Sequence, residues 1–286
     1  MESGAVGAPE VVTLGEADRD EVLSFLAARP LHTVHLEGLI RDNGFHSPLN
    51  RGTFYGCRDA AGALEGVALV GHATLVEAHT ARALRAFAGL AQGYPSSHMI
   101  MGEQAMIEQF WHHYSEGGRA ARAVCREMLF EKRWPAEVRE HVASLRLANA
   151  DDLDLIVPVH AQMAYEESGV NPLARDAAGF RLRCERRIRQ GRVWVAVEAG
   201  RLLFKADIIS DTPAVLYLEG IYVAPEERGK GFGLQCLTQM CRSLLTRTGS
   251  LGLLVNEQNR RAVRLYERAG FKLRDFYHTI FLQQEN

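Results

Sequence analysis

No apolar run in this sequence is long enough to cross a lipid bilayer, so no membrane partner is expected. Cysteine is scarce as well. The five residues Cys57, Cys125, Cys184, Cys236 and Cys241 are odd in number and lack the close pairing of a metal site. Neither a disulfide framework nor a bound metal is expected, and Cys236 and Cys241 read as small core residues. Charge of one sign is missing too. The 33 Lys and Arg against 35 Asp and Glu leave a net charge of −2, which argues against a nucleic-acid partner. The opening Met-Glu-Ser-Gly-Ala-Val has neither the basic nor the apolar region of a secretory leader, so a cytoplasmic location is expected. Three chemical signatures are absent. There is no G-x-S-x-G, so a serine nucleophile has no support. Leu234 stands where the third glycine of a dinucleotide fingerprint would be, and Lys230 is followed by Gly231 where a nucleotide-triphosphate loop needs Ser or Thr.

What is present is ordinary in bulk and particular in one place. With 286 residues, 47% hydrophobic and 24% charged, the chain suits one or two globular domains. The particular place is Leu216 to Gly233. It opens as a strand rich in apolar, aromatic and branched residues, which Pro225 should end because proline donates nothing to a ladder. Gly229, Gly231 and Gly233 follow at alternate positions, flanked by Arg228 and Lys230. Then Leu237, Met240, Cys241, Leu244 and Leu245 recur with helical spacing. A strand, a basic glycine-rich turn and a helix start make an anion cradle, with backbone N–H groups and the helix dipole aimed at the occupant. A phosphate or pyrophosphate is the expected anion.

Downstream, the apolar strand Leu251 to Val255 leads into Asn256-Glu-Gln-Asn259 and a helix with Ala262, Leu265, Tyr266 and Ala269 on one side. Gly270 supplies the stop. The first block, Arg-Gly-Lys-Gly-Phe-Gly after Val-Ala-Pro, resembles the coenzyme A turn of the GNAT N-acetyltransferases. The second is similar to that family's Asn-x-x-Ala-x-x-x-Tyr-x-x-x-Gly-Phe signature, in the right order and at the right distance. The resemblance covers about residues 144–284.

In chain order, Val11 to Leu14 reads as a strand and Asp18 to Leu26 as a helix, with mixed helix and loop over residues 29–52. Thr53 to Cys57 and Gly66 to Val70 are strand-like, and Leu75 to Ala91 reads as a helix with Leu84, Phe87 and Ala88 on one face. A strand at Ser97 to Met101, a helix at Glu103 to Tyr114 and a strand near Val124 to Phe130 complete the first half. Residues 132–142, with Trp134-Pro135, read as a linker. The second half offers the strand Leu145 to Leu147 and a helix carrying Leu153, Ile156, Val157, His160 and Met163, which Pro158 should kink or shorten. A loop at Tyr165 to Arg175, a basic helix at Ala177 to Gln190 and a hairpin across Ala199-Gly200 lead to the strand of Glu219.

The order of elements occurs twice, so the expected fold is α+β: two GNAT-like domains in tandem, each a mixed, mostly antiparallel sheet flanked by helices. The expected divisions are residues 1–131, a linker at 132–142 and a catalytic domain at 143–286. The first half shows no glycine-rich basic turn between Val70 and Leu75, and His112 falls near the position of Tyr266. The chain thus resembles tandem proteins of the family in which only the C-terminal copy keeps the coenzyme turn.

The resemblance implies acetyl transfer from acetyl-CoA to an amine. It makes Ile221, Tyr222 and Val223 contacts of the pantetheine arm, and Arg228, Gly229, Lys230, Gly231, Phe232 and Gly233 the pyrophosphate turn. Asn259 would bond the coenzyme arm, with Ala262 beside it, while Asn256 either joins it or caps the helix. Tyr266 is the implied acid for the departing thiolate, against a core tyrosine, and Glu219 the base acting through water, against an exposed strand carboxylate. Glu166 and Glu167, in the loop after the first helix of this half, would draw a cationic amine by charge. His112-His113 has no spaced carboxylate partner and reads as a polar helix face. Two rivals stay open: a non-catalytic acyl-CoA-binding regulator, and transfer of a longer acyl group. The acceptor and the oligomeric state are not legible.

Overall fold

The computed structural model describes residues 10–138 and 140–283, so the opening hexapeptide and Gln284 lie outside the described residues. The chain forms two compact units. The first comprises residues up to 129 together with 256–258 and those from 274 on; the second comprises 130–255 with 259–273.

The first unit begins with β1 (Glu10–Thr13), α1 (Arg19–Ala27) and α2 (Pro30–Asn43). β2 (Gly52–Arg58), β3 (Leu64–Gly71) and β4 (Ala73–Ala78) follow as an antiparallel run beside β1. After α3 (Ala81–Gln92), β5 (Met99–Glu103) returns parallel to β4, and α4 (Gln104–Tyr114) and β6 (Ala121–Lys132) come next. The crossover α3 packs Ala83, Leu84, Phe87, Ala88 and Ala91 on the sheet. Its N-cap Thr80 accepts from Ala83 N at 3.2 Å, a bond worth about 1 kcal/mol to the helix start.

The second unit repeats this plan. β7 (Leu145–Leu147), α5 (Leu153–Ser168) and α6 (Pro172–Arg189) precede β8 (Val193–Glu198), β9 (Arg201–Asp211) and β10 (Val215–Val223). β7 to β10 pair antiparallel in sequence order. After α7 (Phe232–Leu244), β11 (Ser250–Asn256) lies parallel to β10, and α8 (Arg260–Arg268) and β12 (Lys272–Leu282) close the chain. Under α5 and α6, Ile156, Val157, Ala161, Phe180, Cys184 and Ile188 meet Val193 and Val195 in one core.

The expected division is a single cut at a linker; the compact units interleave instead. From Arg274 on, β12 belongs to the first unit, where Tyr277 to Phe281 pair antiparallel with Glu103 to Met99 of β5. The last residues of β6 belong to the second unit, where Ser250 Oγ donates to Glu131 at 2.7 Å and Lys132 Nζ donates to the Ala269 carbonyl at 2.7 Å.

Local differences from the expected elements have identifiable causes. Ala73–Ala78 is a strand, so the helix expected from Leu75 starts only at Ala81. Thr74, Leu75 and Val76 suit a pleated ladder, and Thr80 is the cap signal that marks the true start. α2 is continuous where mixed helix and loop were expected, with Pro30 in its first turn. α5 runs through Pro158 to Ser168 rather than ending near it. The carbonyl that Pro158 leaves unbonded is that of Asp154; both residues are exposed, so water can satisfy it. The expected loop at Tyr165 to Arg175 is largely helical: the chain breaks at Gly169, Val170 and Asn171, and α6 begins at Pro172. A second break at Asp176 (φ −160°, ψ 76°) kinks α6, so its main run starts at Ala177 as expected.

Candidate active site

In the second unit, β10 and β11 pair only from Val215 to Tyr217 against Ser250 to Gly252. Beyond that point they part. Tyr217 Oη accepts from Leu254 N at 3.0 Å, taking the place of a ladder partner where the strands separate. On its other side β10 stays paired with β9, and between Glu219 and Tyr222 it carries one extra residue. Gly220 sits in this bulge at φ +61°, a conformation that favours glycine. Ile221, Tyr222 and Val223 follow, half-buried on the parting edge.

The basic turn comes next. After a 3-10 turn at Pro225–Glu227, Gly229 takes φ +78° and Gly231 φ +91°, and Gly231 is the N-cap of α7. A Cβ at either glycine would meet nothing within 4 Å, so the hollow lies open above the backbone. Gly233 is different: a Cβ there would stand 2.6 Å from Val223 Cγ2, so the third glycine lets α7 pack on β10. Phe232 opens the helix beside it. Arg228 Nε donates to the Val223 carbonyl at 2.9 Å, bracing the turn, and exposed Lys230 pairs with Glu227 at 3.3 Å. An open hollow at the start of a 13-residue helix, lined by backbone and flanked by two cations, suits a pyrophosphate.

The helix cap expected as one role for Asn256 is made by Asn259. Asn259 caps α8, its Oδ1 accepting from Ala262 N at 3.1 Å. Asn256 ends β11 and accepts from Gln258 N at 2.9 Å. Tyr266 lies on the inner face of α8, 7% exposed, with its ring 6.4 Å from Phe130 and 6.0 Å from Phe271. Burial pushes its phenol well above the usual tyrosine range, which keeps it protonated and able to donate.

Glu219 is exposed, and in the register of β10 with β9 it stands opposite Asp207. Opposed residues share a sheet face, so Glu219 points to the side that α5 and α6 cover. On that face lies a cluster the sequence reading missed. Lys205 and Asp207 are fully buried, and Lys205 Nζ is 2.9 Å from Asp207 Oδ1. Arg187 of α6 bonds Asp207 Oδ2 at 2.9 Å, and His160 Nδ1 of α5 approaches the same oxygen at 3.2 Å. Burial alone would raise the Asp207 pKa. The charge of Lys205, the His160 hydrogen bond and Arg187 outweigh it and hold the carboxyl far below its usual range. Burial lowers the His160 pKa, favouring neutral imidazole. The signal was there: Lys205 and Asp207 alternate within the otherwise apolar stretch Leu202 to Ile209 of β9, where charges are expensive.

Glu166 and Glu167 are exposed on the last turn of α5, not in a loop, and Gln162 Nε2 donates to Glu166 at 2.8 Å. In the first unit His112 and His113 do have a carboxylate neighbour: their ligand atoms and one from Glu116 lie within 4.8 Å of one another. Among the described residues no helix is long and apolar enough to cross a membrane.

The first unit has the same parting of parallel strands, with different contents. β4 and β5 pair only from Ala73 to Leu75 against Met99 to Met101. Beyond, Arg29 bonds Glu77 at 3.0 Å and also Glu103, while His32 Nδ1 meets Tyr277 Oη at 3.1 Å. The turn from β4 into its helix is His79-Thr80, without a glycine, and this pair, not the residues between Val70 and Leu75, is the counterpart of the second unit's basic turn. Counted from the helix N-cap, buried Phe110 stands where the second unit has Tyr266.

Residues 162–271 match the family model of the acetyltransferase (GNAT) family, and the chain carries a GNAT domain there. No curated protein matches the sequence. Among solved structures, a Drosophila protein superposes with TM-score 0.74 at 13% identity, covering 96% of this chain and 99% of its own. A GCN5-related N-acetyltransferase from Sphaerobacter thermophilus gives TM-score 0.62 at 14% identity, covering 98% of each chain. A tandem GNAT protein from the clavulanic acid biosynthesis pathway gives 0.58 at 14% identity, covering 97% of this chain and all of its own. These likenesses span both units, and the fold is that of tandem GNAT domains.

Proposed function

We propose that the GNAT domain of the second unit transfers the acetyl group of acetyl-CoA to a primary amine of a small molecule or peptide. The observation that carries this reading is the parting of β10 from β11 beside a turn with two left-handed glycines at the head of α7. Gly229, Lys230, Gly231 and Phe232 take the pyrophosphate on backbone N–H groups, with Arg228 and Lys230 adding charge and Gly233 keeping α7 close. The edge from Ile221 through Tyr222 to Val223 takes the pantetheine arm. Asn256, Asn259 and Ala262 line the far side, with Asn259 chiefly shaping the start of α8.

The amine nitrogen attacks the thioester carbonyl carbon, the C–S bond breaks, and the thiolate leaves. Glu219, through water, receives the proton the amine gives up, and Tyr266 donates one to the departing sulfur. Holding both reactants in line supplies most of the rate. Glu166 and Glu167, at the end of α5, favour a cationic amine approaching from that side.

One observation favours a second reading, a non-catalytic acyl-CoA-binding protein: Tyr266 is packed among aromatic rings as a core residue would be. A single experiment separates the two. The full chain is supplied with acetyl-CoA and a panel of amines, and free thiol is followed. Amine-dependent thiol release supports the transferase; tight acetyl-CoA binding with no release on any amine supports the binder.

A further inference from the structure

The bulge in β10 has a builder on the neighbouring strand. We propose that the buried pair Lys205–Asp207 is the positioning device of this site: it holds the bulge at Gly220, so that Glu219 and the edge Ile221–Val223 are presented to the reactants. This inference rests on the coenzyme reading above and deepens it.

The geometry is specific. Lys205 is 0% and Asp207 1% exposed, an expensive place for two charges if stability were the only end. An apolar pair of similar size would fill the same space. What it could not do is take hold of a carbonyl. Lys205 Nζ donates to the Gly220 carbonyl at 3.2 Å while pairing with Asp207 Oδ1 at 2.9 Å. The register explains why a side chain is needed there. Asp207 faces Glu219 and Lys205 faces Tyr222, so β10 carries one residue more than β9 and its ladder is interrupted. The ammonium fills that interruption.

The fit also explains the glycine. At φ +61° a Cβ on Gly220 would lie 2.9 Å from Lys205 Nζ and 3.3 Å from Asp207 Oδ2. The bulged backbone therefore rests directly on the charged pair. Asp207 is fixed in turn by Arg187 at 2.9 Å and His160 at 3.2 Å. Two helices of the acceptor side thus lock the carboxylate, the carboxylate locks the ammonium, and the ammonium locks the strand edge. His160 and Arg187 act through Asp207 and are positioning residues as well.

The test uses the full chain and two probes: acetyl-CoA, and adenosine 3′-phosphate 5′-diphosphate, which carries the pyrophosphate without the pantetheine arm. In Lys205→Met the acetyl-CoA Kd should rise about tenfold, while the Kd of the truncated nucleotide stays within about twofold. With an amine that the wild type acetylates, kcat should fall about 100-fold, the cost of roughly an ångström of misplacement. Gly220→Ala keeps both buried charges and should show the same split. Its effect should shrink in the Lys205→Met background, because the two changes act on one contact. Unchanged acetyl-CoA affinity in both variants, an equal loss for both probes in Gly220→Ala, or strictly additive effects would overturn the proposal. A wild type that binds acetyl-CoA but acetylates no amine would end the transferase reading alone, and the two-probe comparison would still judge the device.

Discussion

Replacing Gly231 by alanine isolates what the left-handed backbone of the turn contributes. At φ +91° the new Cβ meets no neighbour, so the cost is conformational rather than a clash. An L-residue held in the left-handed region costs roughly 1–2 kcal/mol, a factor of about 5–30 in an equilibrium. That cost can fall in two places. If the turn keeps its shape, the unit loses stability and the new Cβ stands in the open space proposed for the pyrophosphate; if the turn relaxes, the N–H groups at the head of α7 lose their common aim, so coenzyme affinity drops in either case. Gly191 is the internal control. It has φ +66°, is equally open, and lies in the turn between α6 and β8. Titration calorimetry with acetyl-CoA and thermal unfolding should be run on Gly231→Ala and Gly191→Ala side by side. Both should lose a few degrees of Tm, about 2–4 °C per kcal/mol for a domain of this size. Only Gly231→Ala should weaken acetyl-CoA, by at least about fivefold, and Gly231→Val should weaken it further because a branched side chain resists positive φ more strongly. A Gly231→Ala protein that shows the Tm loss and binds acetyl-CoA like the wild type would refute the cradle.

Three further expectations follow from the same geometry. Tyr266→Phe should keep acetyl-CoA affinity and lower kcat by roughly 10² to 10⁴, the usual worth of a general acid; an unchanged kcat returns Tyr266 to the core. Glu166→Gln with Glu167→Gln should raise the acceptor KM and leave the acetyl-CoA KM alone, and an acceptor KM that does not move removes the end of α5 from the site. His35 should tie stability to pH. Its Nε2 is sealed from solvent, and burial lowers the imidazole pKa from 6.5 to about 4. The unfolded chain therefore binds this proton first as pH falls. The contribution is complete above pH 6.5 and is lost on acidification towards pH 4, up to about 3 kcal/mol. Urea midpoints at pH 7 and 4.5 should converge in His35→Gln relative to the wild type; an identical acid sensitivity excludes His35 as its source.

The second unit was the more legible because its signals are local. Three spaced glycines, a strand ended by Pro225 and the helical spacing of Ala262, Leu265 and Tyr266 can each be read within a dozen residues. Lys205 and Asp207 were visible as charges in an apolar stretch, but their meaning needs His160 and Arg187, which only the packing of α5 and α6 brings to them. The contents of the first unit's strand opening were not legible for the same reason: Arg29, Glu77 and Glu103 come from three distant segments. β4 was misread because Leu75, Val76 and the alanines after Thr80 merge into one helix-like pattern, and the capping threonine between them was passed over. Strand membership at the chain ends was illegible in principle. Nothing in the residues of β12 says that its partner is β5 rather than a strand of its own half.

That last pairing sets a schedule for synthesis. The edge of β5 that β12 covers is complete once residue 103 has left the ribosome, but Arg274 follows roughly 170 residues later, about 10–30 s at ordinary rates. For that interval a nascent first unit presents an unfilled strand edge, the kind of surface that recruits foreign strands. The first unit therefore fills this edge only after the second has been made, although its own helices and strands are made first, and a chain stopped before residue 274 lacks the strand that covers β5.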